Sequence, residues 1–149
     1  MAPAGPGRPL IIGGVAFEHD RGPISHSDGD ALLHALTDAI LGALGDTDIG
    51  GLFPNDDPAN ESRDSADFLV EAVSRARSAG FQILNVDCTV ILERPKLGPR
   101  RGEISGRLAT LLNVPPDRVN VKGKTHEKVD AVGEGRAIEV HAVALLERG

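Results

Sequence analysis

The 149 residues predict a single α+β domain built on a mixed β-sheet, and three observations carry that prediction. Three segments repeat apolar residues three or four apart, and each is closed by a glycine or a proline turn, as amphipathic helices are. Shorter segments alternate apolar and polar residues or run apolar between turn residues, as strands do. The two kinds come in mixed order along the chain. That order predicts three helices on one face of the sheet and leaves the other face to be covered by a second copy of the chain.

The elements follow in order. Met1 to Gly7 is rich in Pro, Gly and Ala and reads as a flexible start to one domain over 1–149. Leu10–Ile12 and Val15–Phe17 read as two short strands joined by a Gly13-Gly14 turn. A helix is predicted from about Gly29 to Leu44, from the pairs Ala31/Leu32, Ala35/Leu36, Ala39/Ile40 and Ala43/Leu44, capped by Ser27 or Asp28 and ended by Gly42 or Gly45. An acidic loop, Asp46 to Pro58, follows; it is too long and too charged for a plain connector. Ser65 to Ala79 is the second helix, with Phe68, Leu69, Ala72, Val73 and Ala76 inward and Gly80 closing it. Phe81 to Leu92 is a strand whose Val86, Cys88, Val90 and Leu92 share a face. A loop from Glu93 to Pro99 leads to a third helix, Arg101 to Leu112. Pro115-Pro116-Asp117 turns the chain into the strand Val119–Lys122, and Ile138 to Leu146 is the last strand, with Val140, Ala142, Ala144 and Leu146 on one face.

Composition narrows the function classes. The chain is 40% hydrophobic with no Trp or Tyr, so its core must be aliphatic. Cys88 stands alone, which excludes a disulfide within the chain and suits a reducing compartment. No apolar run is long enough for a membrane helix and no secretion or transit signal is visible, so the expected location is the cytoplasm, or the plastid if the source is a plant. A net charge of −6 argues against nonspecific nucleic-acid binding. Residues 1–71 hold 3 Lys and Arg against 13 Asp and Glu, a balance of −10; residues 72–149 hold 13 against 9, a balance of +4. An acidic half suits cations and a basic half suits phosphates, and folding can bring both to one site.

The chemistry-bearing residues fall in a few stretches. Asp30, His34 and Asp38 lie four apart, on one predicted helix face, with His26 just before the helix start, where anions are favoured. Taken alone, that spacing favours a hydrogen-bonded structural histidine over a metal ligand. The loop Arg94-Pro95-Lys96-Leu97-Gly98-Pro99 holds a lysine between two prolines. Lys122-Gly123-Lys124-Thr125-His126-Glu127-Lys128 sets a hydroxyl and backbone amides among three lysines, a set suited to phosphate. Phosphate-loop, dinucleotide-binding, nucleophile-elbow and reactive-cysteine motifs are absent. Together these stretches point to metal-assisted chemistry on phosphates.

His26-Ser27-Asp28-Gly29-Asp30, His34-Ala35-Leu36-Thr37-Asp38, Asp48-Ile49-Gly50, Phe53-Pro54-Asn55-Asp56-Asp57-Pro58, Arg94-Pro95-Lys96-Leu97 and Thr125-His126-Glu127-Lys128 stand in the order and spacing of one family. From Arg8 to Leu146 the chain resembles 2-C-methyl-D-erythritol 2,4-cyclodiphosphate synthase, the cyclising enzyme of non-mevalonate isoprenoid biosynthesis. The resemblance implies a homotrimer with active sites between subunits. It implies that 4-diphosphocytidyl-2-C-methyl-D-erythritol 2-phosphate becomes the cyclic diphosphate and CMP, with a zinc or other divalent ion and a second cation, Mg2+ or Mn2+, on the phosphates. By position, His34 matches a zinc ligand; the helical spacing, not the resemblance, places Asp38 one turn on to orient it. His26 and Thr125 match the residues credited with stabilising the transition state. His26, Ser27, Asp48, Ile49, Gly50, Phe53, Pro54, Asn55, Asp56 and Asp57 match the methylerythritol phosphate positions. Leu92, Pro95, Lys96, Leu97, Lys124, Thr125, His126 and Glu127 match the cytidine diphosphate pocket. Arg136 or a neighbour, rather than Glu134, is the expected phosphate partner there.

The family's other two zinc ligands sit on a Gly-x-Asp-x-His strand, and Met1 to Gly7 contains neither. On ligand count, the chain as written is expected to hold zinc poorly. A reading of another class therefore stands beside the cyclase: a noncatalytic trimer that binds nucleotide or isoprenoid phosphate.

Overall fold

The computed structural model describes residues 2–3, 9–19, 21–22, 29–52 and 64–149. His26, Ser27 and the stretch from Phe53 to Asp57 lie outside the described residues.

Leu10–Ile12 (β2) and Val15–Phe17 (β3) form the expected antiparallel hairpin. Gly13 and Gly14 have φ of 62° and 77°, the sign a two-residue hairpin turn needs at both central positions. A Cβ on Gly13 would lie 2.6 Å from Ile104 Cγ2, so the turn is also pressed against a helix. Ala2–Pro3 (β1) pairs antiparallel with Arg21–Gly22 (β4), within the start read as flexible.

Ala31–Ala43 (α1) starts two residues later than the periodicity suggests, and its cap is Asp30 rather than Ser27 or Asp28. The Asp30 carboxylate accepts from Leu33 N at 3.0 Å, and also from Gly13 N at 3.0 Å and Gly14 N at 2.7 Å. Asp30 is fully buried and fixes the hairpin to the helix start. Gly45, at φ 68°, ends the helix as expected.

The acidic loop contains a short helix, Ile49–Leu52 (α2), that the charge pattern hid. Ser65–Ser78 (α3) is capped by Asp64, whose carboxylate accepts from Ala66 N at 2.9 Å. Phe81–Ile91 (β5), Arg101–Leu112 (α4), Val119–Lys124 (β6) and Glu139–Arg148 (β7) lie within a few residues of their predicted places. Asp130–Gly133 (α5) was not foreseen.

The main sheet runs β6-β5-β7, with β5 parallel to β6 and antiparallel to β7, so it is mixed. Val86, Cys88 and Val90 of β5 and Val121 of β6 point inward against Leu32, Leu36 and Ile40 of α1, Leu69 and Ala76 of α3, and Ile104 and Leu108 of α4. The core is aliphatic apart from Phe17 and Phe68. Burial raises the Cys88 thiol to about 12, which makes it a core residue and not a nucleophile.

Val140, Ala142, Ala144 and Leu146 of β7 lean on the core, while Val143 and Leu145 on its other face are 68% and 55% exposed. On the same outer face Asp87 binds Lys122 Nζ at 2.9 Å and Asn120 Nδ2 at 3.0 Å. The lysine beside it holds the Asp87 carboxyl below the usual carboxylate range. Among the described residues no helix is long and apolar enough to cross a membrane.

Candidate functional site

Because β5 and β6 are parallel neighbours, Ile91 pairs with Lys124 and the chain leaves both strands at one edge of the sheet. Leu92 N donates to Lys124 O at 3.0 Å, which holds the two exits side by side. Ligand clefts form at such carboxyl ends, where loops diverge. A cleft of about 380 Å³ opens here. Leu92, Pro95, Lys96, Leu97, Lys124 and Thr125, all expected from the sequence, line it together. The Arg94–Pro95 bond is cis, and Leu97 is buried, with its side chain over Gly123.

Glu93, Gly98, Arg101 and Gly123 complete the wall. Arg101 was missed because it opens a helix and reads as an ordinary first-turn residue. Its neighbour Arg100 is engaged elsewhere. The Arg100 guanidinium stacks over Phe17 at 4.7 Å, donates to Ala16 O and pairs with Glu103 at 2.7 Å. Three cationic side chains, Lys96, Arg101 and Lys124, thus share one cleft with the Thr125 hydroxyl. Thr125 Oγ1 accepts from Glu127 N at 3.2 Å, and its own proton stays available to an acceptor in the cleft. Such a set neutralises a diphosphate, while Leu92, Pro95 and Leu97 give a flat apolar group a place to lie.

Other expected residues do not line this cleft. Lys122 is tied to Asp87 on the outer sheet face, which removes it from the phosphate set. His126 Nδ1 pairs with Asp130 at 2.9 Å; Asp130 raises the histidine above its ordinary value and is itself held low by it. Glu127 sits at φ 51° beside them. Arg136 donates to Glu134 at 2.7 Å, so these two neutralise each other. Asp48 accepts from Gly51 N at 2.8 Å, in a turn with Ile49 and Gly50.

His34 Nε2 lies 2.7 Å from Ser65 Oγ, and its ring tilts against Phe68 at 5.6 Å. Asp38 does not orient it: Asp38 Oδ1 accepts from Ile49 N at 2.7 Å and fixes the turn after α1. Among the described residues no three His, Cys, Asp or Glu side chains are grouped to hold a metal. His34 is thus one described donor toward the three or four protein ligands that zinc takes.

The model of the YgbB family matches residues 2–147. The chloroplastic 2-C-methyl-D-erythritol 2,4-cyclodiphosphate synthase of Oryza sativa subsp. japonica is 52% identical over 143 residues, 96% of this chain and 64% of the rice protein. The chain thus spans less than two thirds of that relative's length. The Burkholderia mallei (strain SAVP1) synthase is 50% identical over 143 residues, 96% of this chain and 88% of the bacterial one. A solved structure of 2C-methyl-D-erythritol-2,4-cyclodiphosphate synthase in its CDP-bound form matches with a TM-score of 0.87 at 40% identity, covering 95% of this chain and 91% of that one.

Proposed function

The chain belongs to the YgbB family, that of the 2-C-methyl-D-erythritol 2,4-cyclodiphosphate synthases, and on that premise we propose that it cyclises 4-diphosphocytidyl-2-C-methyl-D-erythritol 2-phosphate with release of CMP. The observation that carries the proposal is the cleft between the exits of β5 and β6. It gathers Lys96, Lys124, Thr125 and an apolar shelf in one place, and the similar solved structure is a CDP complex.

In the proposed reaction an oxygen of the 2-phosphate attacks the β-phosphorus of the same molecule. The bond from that phosphorus to the bridging oxygen of the α-phosphate breaks, and CMP leaves with the electron pair. Both reacting groups belong to one substrate, so the protein has only to fold it and to offset charge. Lys96, Arg101 and Lys124 neutralise the diphosphate from the cleft walls. The Thr125 hydroxyl donates to an oxygen that gains charge as the bridging bond breaks. Leu92 to Leu97 hold the cytidine. Asp48, Ile49 and Gly50, with His26, Ser27 and Phe53 to Asp57, are proposed to hold the methylerythritol phosphate.

The exposed Val143 and Leu145 support self-association, proposed here as a homotrimer in which a neighbouring copy covers this face. Divalent metal belongs to the proposal at a single described donor, His34. Every step above runs through the chain's own residues.

The test is incubation of the 149-residue protein with the cytidyl substrate, zinc and magnesium, followed by 31P NMR and chromatography of CMP. Cyclic diphosphate and CMP in equal amounts support the cyclase. CDP binding without CMP release supports the noncatalytic reading instead.

A further inference from the structure

Glu93 leaves β5 one residue past Leu92 and stands between two hollows. One is the cleft above; the other, of about 720 Å³, is lined by Glu93, Arg94, Lys128 and the Gly133-Glu134-Gly135 turn. Glu93 Oε1 accepts a hydrogen bond from Lys128 N at 3.2 Å. Glu93 Oε2 is buried with no hydrogen-bond partner among the described residues. A buried acceptor without a donor costs free energy that a hydrocarbon of the same shape does not. Packing alone therefore gives no reason for a carboxylate here; the bond to Lys128 is what this side chain adds.

The loop that it holds has an uncommon backbone. Glu127, Lys128 and Asp130 have φ of 51°, 66° and 63°, in the left-handed region that residues with a Cβ rarely adopt. Such conformations persist where the surroundings over-determine them. Several fixings act from within the loop, the His126–Asp130 pair among them. Thr125 Oγ1 accepts from Glu127 N. The Asp130 carboxylate accepts from Val132 N at 2.9 Å and Gly133 N at 3.2 Å. Gly133 packs on the Lys128 backbone so closely that a Cβ would lie 2.4 Å from its carbonyl carbon. The Glu93 bond differs in kind: it reaches across 35 residues of sequence, from the other wall of the cleft.

We infer that Glu93 is a positioning residue: by holding the Lys128 amide it sets the Thr125 hydroxyl and Lys124 at a fixed separation from the Leu92–Leu97 wall. The inference rests on the reading of this cleft as the diphosphocytidyl site. Its catalytic consequence follows from Thr125, whose hydroxyl acts on charge that develops late. Misplacing it lowers turnover more than binding.

Glu93→Met fills the same space without an acceptor, and Glu93→Ala serves if the methionine is not accommodated. Glu93→Gln keeps an oxygen able to accept from Lys128 N. In the methionine variant, hydrogen exchange at the Lys128 amide is expected to quicken at least tenfold, with β5 and β6 amides unchanged. Turnover is expected to fall about tenfold or more while KM moves less than threefold. The glutamine variant is expected to restore both to within threefold of wild type. An unchanged Lys128 exchange rate would overturn the inference. So would a glutamine variant as loose as the methionine one, or a loss confined to KM. If wild type binds CDP nowhere and releases no CMP, the functional reading falls, and the exchange experiment still decides the Glu93 tie.

Discussion

Removing the Asp30 carboxylate is expected to destabilise the fold without touching any metal. Its two oxygens accept from Leu33 N, Gly13 N and Gly14 N, at 3.0, 3.0 and 2.7 Å. Loss of an N-cap costs about 1 kcal/mol. Gly13 is buried, and its amide would lose its acceptor, at about 1–3 kcal/mol. Gly14 is exposed and its amide turns to water, so it adds little. The sum for Asp30→Ala is about 3 kcal/mol, which for a chain of this size lowers the melting temperature by about 9 °C. Asp30→Asn keeps one acceptor oxygen and is expected to lose about a third of that. Thermal unfolding followed by circular dichroism, with metal analysis of each variant, is the assay. Equal losses from the two substitutions would refute the assignment of the oxygens. A drop in bound zinc at unchanged stability would show that this carboxylate serves a metal and that the cap reasoning is wrong.

Four other outcomes are expected. Lys96→Ala raises KM about tenfold at nearly constant turnover, because a charge contact made in ground and transition states is lost, whereas Thr125→Ala lowers turnover about 10- to 100-fold; matching KM effects from both would contradict the division of roles. The His126–Asp130 pair should be visible by NMR: the His126 titration midpoint lies above 6.5 and falls toward it in Asp130→Asn. Since the folded value is raised, the histidine's contribution is present below its unfolded pKa and fades as pH climbs through the folded one; that of Asp130, held low, fades as pH falls through its own. Cys88, buried and raised to about 12, should react with a thiol reagent at pH 8 only after unfolding, and fast native labelling would contradict its place in the core. Light scattering should give three chains per particle, and Val143→Glu should give monomers; a wild-type monomer at micromolar concentration would remove the proposed sites between subunits.

Most of the fold could be read from the chain because its partition is simple. Leu32, Leu36 and Ile40, or Val86, Cys88 and Val90, repeat with the period of the element that carries them, and water drives each row inward. What could not be read is what distant backbone decides. Ser27, Asp28 and Asp30 are all able to cap a helix, and the amides of Gly13 and Gly14, 17 and 16 residues from Asp30, settle which one does. Local spacing set Asp30 and Asp38 on one face with His34, but their carboxylates also accept from the amides of Gly13, Gly14 and Ile49, which the helix-surface pattern does not contain. In the cleft, the loops carried their own signal, since Lys96 and Thr125 stand among turn residues at strand exits. Arg101 and Glu93 carried none. One depends on how α4 is rotated about its axis, and the other on a bond to an amide 35 residues away. Lys122 was placed with the phosphate residues because its pairing with Asp87 follows only from the parallel register of β5 and β6.

The role of the cleft is tested most directly by titrating the 15N-labelled protein with CDP and following every backbone amide. The expected result is saturable shifts concentrated at Leu92–Arg101 and Gly123–Thr125, weakened in Lys96→Ala and quenched by added salt, as charge contacts with a diphosphate are. Saturable binding whose shifts fall elsewhere, or no binding at millimolar CDP, would contradict it.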